Sequence, residues 1–272
     1  MLIDTHCHIN IMTKESFDTV LLPHDYQLAQ QIIADAKKEE VFIIFNVGTS
    51  LIESINCIEL AKKFPEIYAV VGIHPNDLSH EWRSDIAQLK KFIIAKNENK
   101  IVAIGECGLD FHYPDYDLTR QQDAFKVQIE LALEHDLPLV IHTRDAGDET
   151  LRALETFKDS NLRGVIHCFS EGLVFAQDAI NLGFVLGIGG TITYPKNTHL
   201  RQVVTTVGLD HIILETDAPY LPPQSLRGKK NSPKNIRVIA NYIAELLETD
   251  LQTVADATTN TVKKIFKYQD SK

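Results

Sequence analysis

The sequence is poor in several features that would point to a specialised class of protein. It has four cysteines in 272 residues and no Cys-x-x-Cys pair, which argues against a disulfide scaffold. No apolar run is long enough to span a bilayer. The first residues lack the basic start, the apolar core and the cleavage site of a signal peptide. These absences predict a cytoplasmic protein with no membrane association.

Positive charge is also scarce. Lysine and arginine number 27 against 37 aspartates and glutamates, which gives a net charge of −10. Such a balance argues against broad, non-specific attraction to nucleic acid, because that attraction needs a basic surface. It leaves room for a nuclease that binds phosphate through metal ions and a few local cations.

Apolar strands alternate with helical segments along the whole chain. The predicted strands cover residues 2–5, 41–47, 68–72, 101–105, 137–141, 164–166, 184–187 and 212–214. The predicted helices cover residues 26–39, 51–63, 85–97, 121–135, 148–157, 173–181 and 200–207, with two more at 235–247 and 251–266. Eight such units predict an α/β fold: a single-domain TIM (β/α)8 barrel over residues 1–272 with extra C-terminal helices. The alternative is a doubly wound open sheet, whose nucleotide-binding form is disfavoured because no Gly-x-Gly-x-x-Gly follows the first strand.

Two histidines stand at the end of the first predicted strand, in the segment Asp-Thr-His-Cys-His. Side chains at alternate positions of a strand point the same way, so His6 and His8 are predicted to lie side by side. Two imidazoles on one face form half of a metal site. The pair alone is also compatible with ordinary polar residues at the point where a strand ends.

Further candidate ligands follow the later strands, at the barrel face where such enzymes carry their chemistry. They are Glu106 after the fourth strand, His142 after the fifth, His167 after the sixth and Asp217 after the eighth. Six ligands exceed one tetrahedral set, and two divalent ions about 3.5–4 Å apart would use them all. Glu106 is the natural bridge between a first ion on His6, His8 and Asp217 and a second ion on His142 and His167. Mixed nitrogen and oxygen ligands suit zinc, manganese or magnesium.

Several motifs along the chain resemble the TatD-like metal-dependent deoxyribonuclease family of the amidohydrolase superfamily. Among them are Asp-Thr-His-Cys-His (4–8), Gly-Ile-His-Pro (72–75), Gly-Glu-Cys-Gly-Leu-Asp (105–110), His-Cys-Phe-Ser (167–170) and Glu-Thr-Asp-Ala-Pro-Tyr-Leu (215–221). The resemblance implies hydrolysis of phosphodiester bonds in DNA, from the 3′ end of a substrate that is single-stranded. The sequence does not imply a protein partner. Glu171 and Ser232 depart from the family pattern, at positions that are not ligands.

Roles for other residues follow from these expectations. Asp217 and Glu106 are the predicted catalytic residues, with Asp217 taking or relaying a proton from the attacking water. Predicted substrate-binding residues at the same rim are His74, Arg144, Arg227 and Lys229. Arg144 is also compatible with a helix cap. Arg227 and Lys229 belong to a short basic run that is also compatible with a solvent-exposed face.

Four further side chains carry structural expectations. Asp4 and Asp110 are predicted to accept hydrogen bonds from ligand histidines. Strand alternation predicts that Cys7, Cys107 and Cys168 point away from the site and are buried as small apolar residues.

Two other functions remain open on the sequence. The same metal site would also suit a hydrolase of small amides or esters, and a barrel without activity would serve only to bind a partner. The complete ligand set counts against the second of these.

Overall fold

The computed structural model of the protein describes residues 1–268. Eight parallel strands form one sheet whose spatial order follows the sequence. They are β1 (Leu2–Cys7), β2 (Val41–Val47), β3 (Ile67–Val71), β4 (Ile101–Asp110), β5 (Leu139–Arg144), β6 (Gly164–Ile166), β7 (Phe184–Ile188) and β8 (Ile212–Leu214). Helices connect successive strands, and the predicted (β/α)8 barrel is confirmed.

The helices lie outside the sheet. They are α1 (Ile9–Met12), α2 (Pro23–Lys38), α3 (Leu51–Lys63), α4 (Trp82–Ile94), α5 (Leu118–Glu134), α6 (Gly147–Glu155), α7 (Leu173–Asn181), α8 (Thr198–Val207), α9 (Ile236–Leu246) and α10 (Leu251–Phe266). Polar side chains begin three of them, because Ser50, Asp117 and Asp250 each accept a hydrogen bond from a backbone N–H three residues ahead.

The barrel closes between its first and last strands. The N–H of Asp217 donates to the carbonyl of His6, and the N–H of His8 donates to the carbonyl of Ala218, both at 2.8 Å. Cys7 and Ala218 form a parallel bridge at the same point. We call this junction of residues 4–8 with residues 214–218 the seam.

Predicted and observed bounds agree for β2, β6, β8, α3, α7 and α10, and elsewhere the ends move by a few residues. The largest difference is at β4, which continues to Asp110, and at β5, which continues to Arg144. Polar residues end the apolar pattern there, but the two strands stay paired through Gly108 and His142. Gly108 has a φ of 141°, and a Cβ at this position would collide with the His142 carbonyl.

Side chains of the sheet pack in two layers. One layer lies between strands and helices, and the other fills the barrel interior with residues from all eight strands. The C-terminal end of α10 closes the bottom of this interior, where Phe45 packs against Phe266 with ring centres 4.8 Å apart. Side chains therefore fill the barrel interior below the C-terminal ends of the strands.

Two sequence expectations concern the extent of the chain. The single domain predicted over residues 1–272 includes residues 269–272, which lie outside the described residues, so that boundary stays a prediction. Within residues 1–268, no helix combines the length and the apolar character needed to cross a membrane.

Replacing Phe45 by alanine tests the closed interior. Phe45 is fully buried, so Phe45→Ala is expected to lower the free energy of unfolding by about 3–5 kcal/mol. Phe42 lies on the same strand and is 43% exposed, so Phe42→Ala should cost about 1 kcal/mol or less. Urea unfolding followed by circular dichroism gives both values, and equal losses would contradict the packing described here.

Candidate metal centre

The seam brings three candidate ligands from opposite ends of the chain together. His6 Nε2 and His8 Nε2 are 3.2 Å apart. Asp217 Oδ1 lies 3.3 Å from His8 Nε2 and 3.8 Å from His6 Nε2. The backbone bonds of the seam fix these separations, because each ligand lies on or next to a residue that makes one of them.

Glu106 lies at the middle of the group and presents one oxygen to each side. Its Oε2 is 3.3 Å from His6 Nε2 and 3.9 Å from His8 Nε2. Its Oε1 is 3.0 Å from His142 Nδ1 and 3.8 Å from His167 Nε2. The carboxylate thus lies between two sets of imidazoles, which is the arrangement expected of a ligand shared by two ions.

Hydrogen bonds orient the imidazoles around this centre. His8 Nδ1 lies 2.9 Å from the Val47 carbonyl, so Nδ1 carries a proton, and in the neutral ring Nε2 presents a lone pair to the site. His142 lies between two carboxylates, with Nε2 2.9 Å from Asp110 Oδ2 and Nδ1 toward Glu106. The predicted contact of Asp110 with a ligand histidine is therefore observed.

The donors fit a divalent metal. Two imidazole nitrogens at 3.2 Å face each other and two carboxylates in a buried site. Such a set of lone pairs requires a cation or extra protons between them. The group of His6, His8 and Glu106 has ligand atoms close enough for one ion, as does the group of His74, Asp110 and His142.

The charged groups around the site shift one another's pKa values. Burial would raise the pKa of Glu106, but the surrounding imidazoles, first that of His167, hold it well below its usual range. Burial also opposes ionisation of Asp217, yet His8 and the other imidazoles lower its pKa. Both carboxylates are therefore ionised at neutral pH, as ligands must be.

Glu215 is a residue of the site to which the sequence analysis gave no role. It is 1% exposed, its Oε1 lies 2.9 Å from His167 Nδ1, and it accepts a hydrogen bond from the Cys168 N–H. A Cβ on Gly187 would occupy the space of its carboxylate. Burial would lower the pKa of His167, but Glu215, Glu106 and Asp217 raise it to about 10. The sequence signal that could have identified Glu215 was its position as an acidic residue two places before Asp217, at the same strand end.

The predicted substrate-binding residues divide into two groups. His74 and Arg144 line the cavity above the site, and His74 Nε2 lies 3.7 Å from Glu106 Oε1. Burial and the neighbouring His142 lower the pKa of His74 to about 3, so it is neutral. Arg227 lies 4.7 Å from the centre of the Tyr194 ring, and Lys229 is exposed; neither lines the cavity.

Asp4 does not contact a histidine ring, so that expectation is wrong. Its carboxylate accepts hydrogen bonds from the Thr216 N–H and hydroxyl at 2.9 and 2.5 Å, and from the His6 N–H at 3.2 Å. The pairing of β1 with β2 shifts register between Asp4 and Cys7, which breaks the alternation on which the expectation rested. Asp4 therefore holds the seam together.

The expectation for Cys168 is also wrong, whereas Cys7 and Cys107 are fully buried as predicted. Cys168 lines the cavity, beside His167 and Asp217. It follows the end of β6 and has a φ of 47°, so strand alternation no longer sets its direction. Burial raises the pKa of its thiol well above the usual range.

The chain is similar to known proteins along nearly its whole length. The model of the family described as TatD related DNase matches residues 3–267. YabD of Bacillus subtilis, an uncharacterized metal-dependent hydrolase, is 34% identical over 98% of this chain and 99% of its own. A Citrobacter rodentium protein named 3′-5′ ssDNA/RNA exonuclease TatD is 33% identical over 87% of this chain and 90% of its own. The crystal structure of YjjV, a TatD homologue of Escherichia coli K12, has a TM-score of 0.87 at 29% identity and covers 98% of each chain.

Glu215→Gln tests whether this carboxylate orients His167 for a metal. The amide keeps the shape and the contact with Cys168 but removes the charge, so the affinity for Mn²⁺ should fall about 10- to 100-fold. Isothermal titration of the metal-free protein with Mn²⁺ measures it. Glu171→Gln, on the half-exposed carboxylate four residues after His167, should leave the affinity unchanged. Equal affinities in all three proteins would remove Glu215 from the site.

Proposed function

The chain belongs to the TatD related DNase family of metal-dependent hydrolases, and from this premise we propose that it is a deoxyribonuclease. It would cleave phosphodiester bonds from the 3′ end of single-stranded DNA, a direction and substrate suggested by the name of the Citrobacter relative. The observation that carries the proposal is the Glu106 carboxylate between two sets of imidazoles, with Asp217 beside it at the cavity. A cytoplasmic location stays a prediction from the sequence.

The proposal uses two divalent ions, which are zinc, magnesium or manganese. The six residues that would hold them share a position at or just beyond a strand end: His6, His8, Glu106, His142, His167 and Asp217. Glu106 would contribute to holding both ions, because its two oxygens face different imidazoles. When bound, such ions lower the pKa of a water molecule and neutralise the charge that develops on phosphoryl oxygens.

Asp217 is the proposed proton acceptor. Its side chain is 15% exposed and lines the cavity, so a water molecule can reach it. The neighbouring imidazoles lower its pKa, which keeps the carboxylate ionised and able to take a proton. Glu106, the other proposed catalytic residue, is more enclosed, with a side chain 5% exposed, and would act by holding the two ions.

The cavity fits a chain-like anionic substrate. Its volume is about 770 Å³, and it is open to solvent above the carboxylates. Arg144 lines it and is proposed to bind a phosphate. Arg227 and Lys229 are proposed to bind phosphates further along the strand, and the neutral His74 to donate a hydrogen bond beside Glu106. Local cations of this kind are compatible with a net charge of −10.

Asp217→Asn should lower turnover of single-stranded DNA by about 10²- to 10⁴-fold, because the amide cannot accept the proton. The metal-loaded proteins are assayed on single-stranded DNA, double-stranded DNA, RNA, bis-p-nitrophenyl phosphate and small amides. Asp123→Asn, which alters an exposed carboxylate on α5, is the matched control. Full activity of the Asp217 variant, or hydrolysis of amides and not of phosphodiesters, would refute the nuclease assignment.

Glu106→Gln tests the shared ligand. Loss of its charge removes an anionic donor from both proposed ions, so the purified protein should hold fewer than half of the wild-type metal equivalents. Elemental analysis after dialysis measures the content, and circular dichroism checks the fold. Wild-type metal content in the variant would rule out a bridging role.

A further inference from the structure

The cavity has two chemically different walls, because the strands of the barrel are arranged in sequence order. The loops after β1, β2 and β3 contribute Phe17, Thr49 and Asp77 to one side, and Tyr220 joins them from the loop after β8, next to β1. We call these four residues the recess. The opposite side comes from the end of β5, which carries Arg144, and from the loop after β7, which carries Tyr194.

Two aromatic rings of the recess are open to solvent. Phe17 is 48% exposed and Tyr220 is 50% exposed, although both line the cavity. The Tyr220 ring centre lies 6.1 Å from that of His8, so the recess adjoins the metal centre directly. Exposed aromatic rings beside a site that cleaves nucleic acid are suited to stack on bases, because every base offers a flat π face.

Thr49 and Asp77 give the recess a polar side. Thr49 is 8% exposed, and its hydroxyl has no hydrogen-bond partner among the described residues. The hydroxyl lies beside Asp77 and lowers the pKa of that carboxyl. Burial outweighs this effect and, with Glu106, Asp18 and Glu53, raises the pKa of Asp77 to about 6. A buried polar group without a partner costs stability unless a ligand satisfies it.

The charges of the recess disfavour a phosphate. Three further carboxyl groups, those of Glu106, Asp18 and Glu53, lie near enough to Asp77 to raise its pKa. The nearby cation, Lys14, is paired with Glu53 at 2.6 Å and is therefore neutralised. The side of Arg144 is the one that attracts phosphate, so a nucleotide is expected to direct its phosphates there and its base toward the recess.

A buried ion pair holds the loop that carries Phe17. Glu53 is fully buried and accepts hydrogen bonds from the Lys14 ammonium and from the Asp18 N–H, on either side of Phe17. Asn56 adds a bond to the Thr19 carbonyl at 2.8 Å. The loop is thus fixed in place before any ligand binds, which spares the cost of ordering it.

We propose that the recess is a subsite for the nucleobase adjoining the scissile phosphate. The base stacks on Phe17 and Tyr220, and its Watson–Crick edge meets Thr49 and Asp77. A carboxylate accepts hydrogen bonds only, so bases with an amino group on that edge are favoured over thymine, whose single N–H lies between two carbonyl oxygens. This inference rests on the proposed nuclease function and names what the site recognises.

The test compares single-stranded oligonucleotides that carry a base or an abasic residue at the nucleotide next to the cleaved bond. Wild-type kcat/KM should be about 5- to 150-fold higher for the base-bearing substrate. Phe17→Ala should reduce this ratio toward one, and Phe17→Tyr should restore it. Phe42→Ala, which removes an exposed phenylalanine at the start of β2, should keep the wild-type ratio.

Base preference tests the polar side separately. With cytosine or thymine at the same position, wild-type protein should prefer cytosine, and Asp77→Asn should narrow or reverse the preference. An amide donates as well as accepts, so it can pair with a thymine carbonyl. The proposed subsite would be overturned if wild-type protein had equal kcat/KM on the abasic and base-bearing substrates. It would also be overturned if Phe17→Ala lowered kcat/KM by the same factor on both substrates.

A binding measurement separates failure of the subsite from failure of the function. An oligonucleotide with a terminal 2-aminopurine is added to the Asp217→Asn protein, and stacking should quench its fluorescence. The quench should be lost when Phe17→Ala is added to that protein. Quenching without hydrolysis of any DNA by wild-type protein would refute the nuclease function and retain the base subsite, and hydrolysis without quenching would do the reverse.

Discussion

The junction between the first and last strands is the constraint on which the rest of the site depends. Asp4 and Thr216 are 212 residues apart, yet the Asp4 carboxylate accepts hydrogen bonds from both the N–H and the hydroxyl of Thr216. Two backbone bonds continue this pairing up to His8 and Ala218. Because the same few residues close the barrel and carry ligands, the fold cannot close without bringing Asp217 to His6 and His8.

Closure alone would assemble a set of charges that repel one another. Glu106 and Asp217 are carboxylates in a buried site, where their separation from water is costly unless opposite charge compensates. The surrounding imidazoles supply part of that charge, and a bound divalent ion would supply the rest. Glu215 and Asp110 then orient the imidazoles, since each faces one ring nitrogen of His167 or His142.

Much of this could be predicted from the sequence, because strand periodicity and polar residues at strand ends are local signals. Strands such as Val41–Val47 and Ile212–Leu214 have the predicted bounds, and the six candidate ligands do meet. The errors arise where the backbone leaves regular geometry. A register shift after Asp4 and a positive φ at Cys168 give these two side chains directions that strand alternation does not predict. Glu215 was missed because its role depends on a neighbouring strand, where Gly187 makes room for it.

The positions of loop residues at the cavity depend on different contacts from those of residues at the strand ends. The segment between α1 and α2 has no periodic pattern, and nothing in its sequence announces that Phe17 lines the cavity. Its position is determined by Glu53, which lies on α3 and pairs with Lys14 across 39 residues of chain. The chemistry of the site thus depends on bonds within the sheet, whereas its outer wall depends on one buried ion pair. Substitutions in that loop can therefore change what the cavity accepts while the ligands keep their positions, because no bond of the seam passes through it.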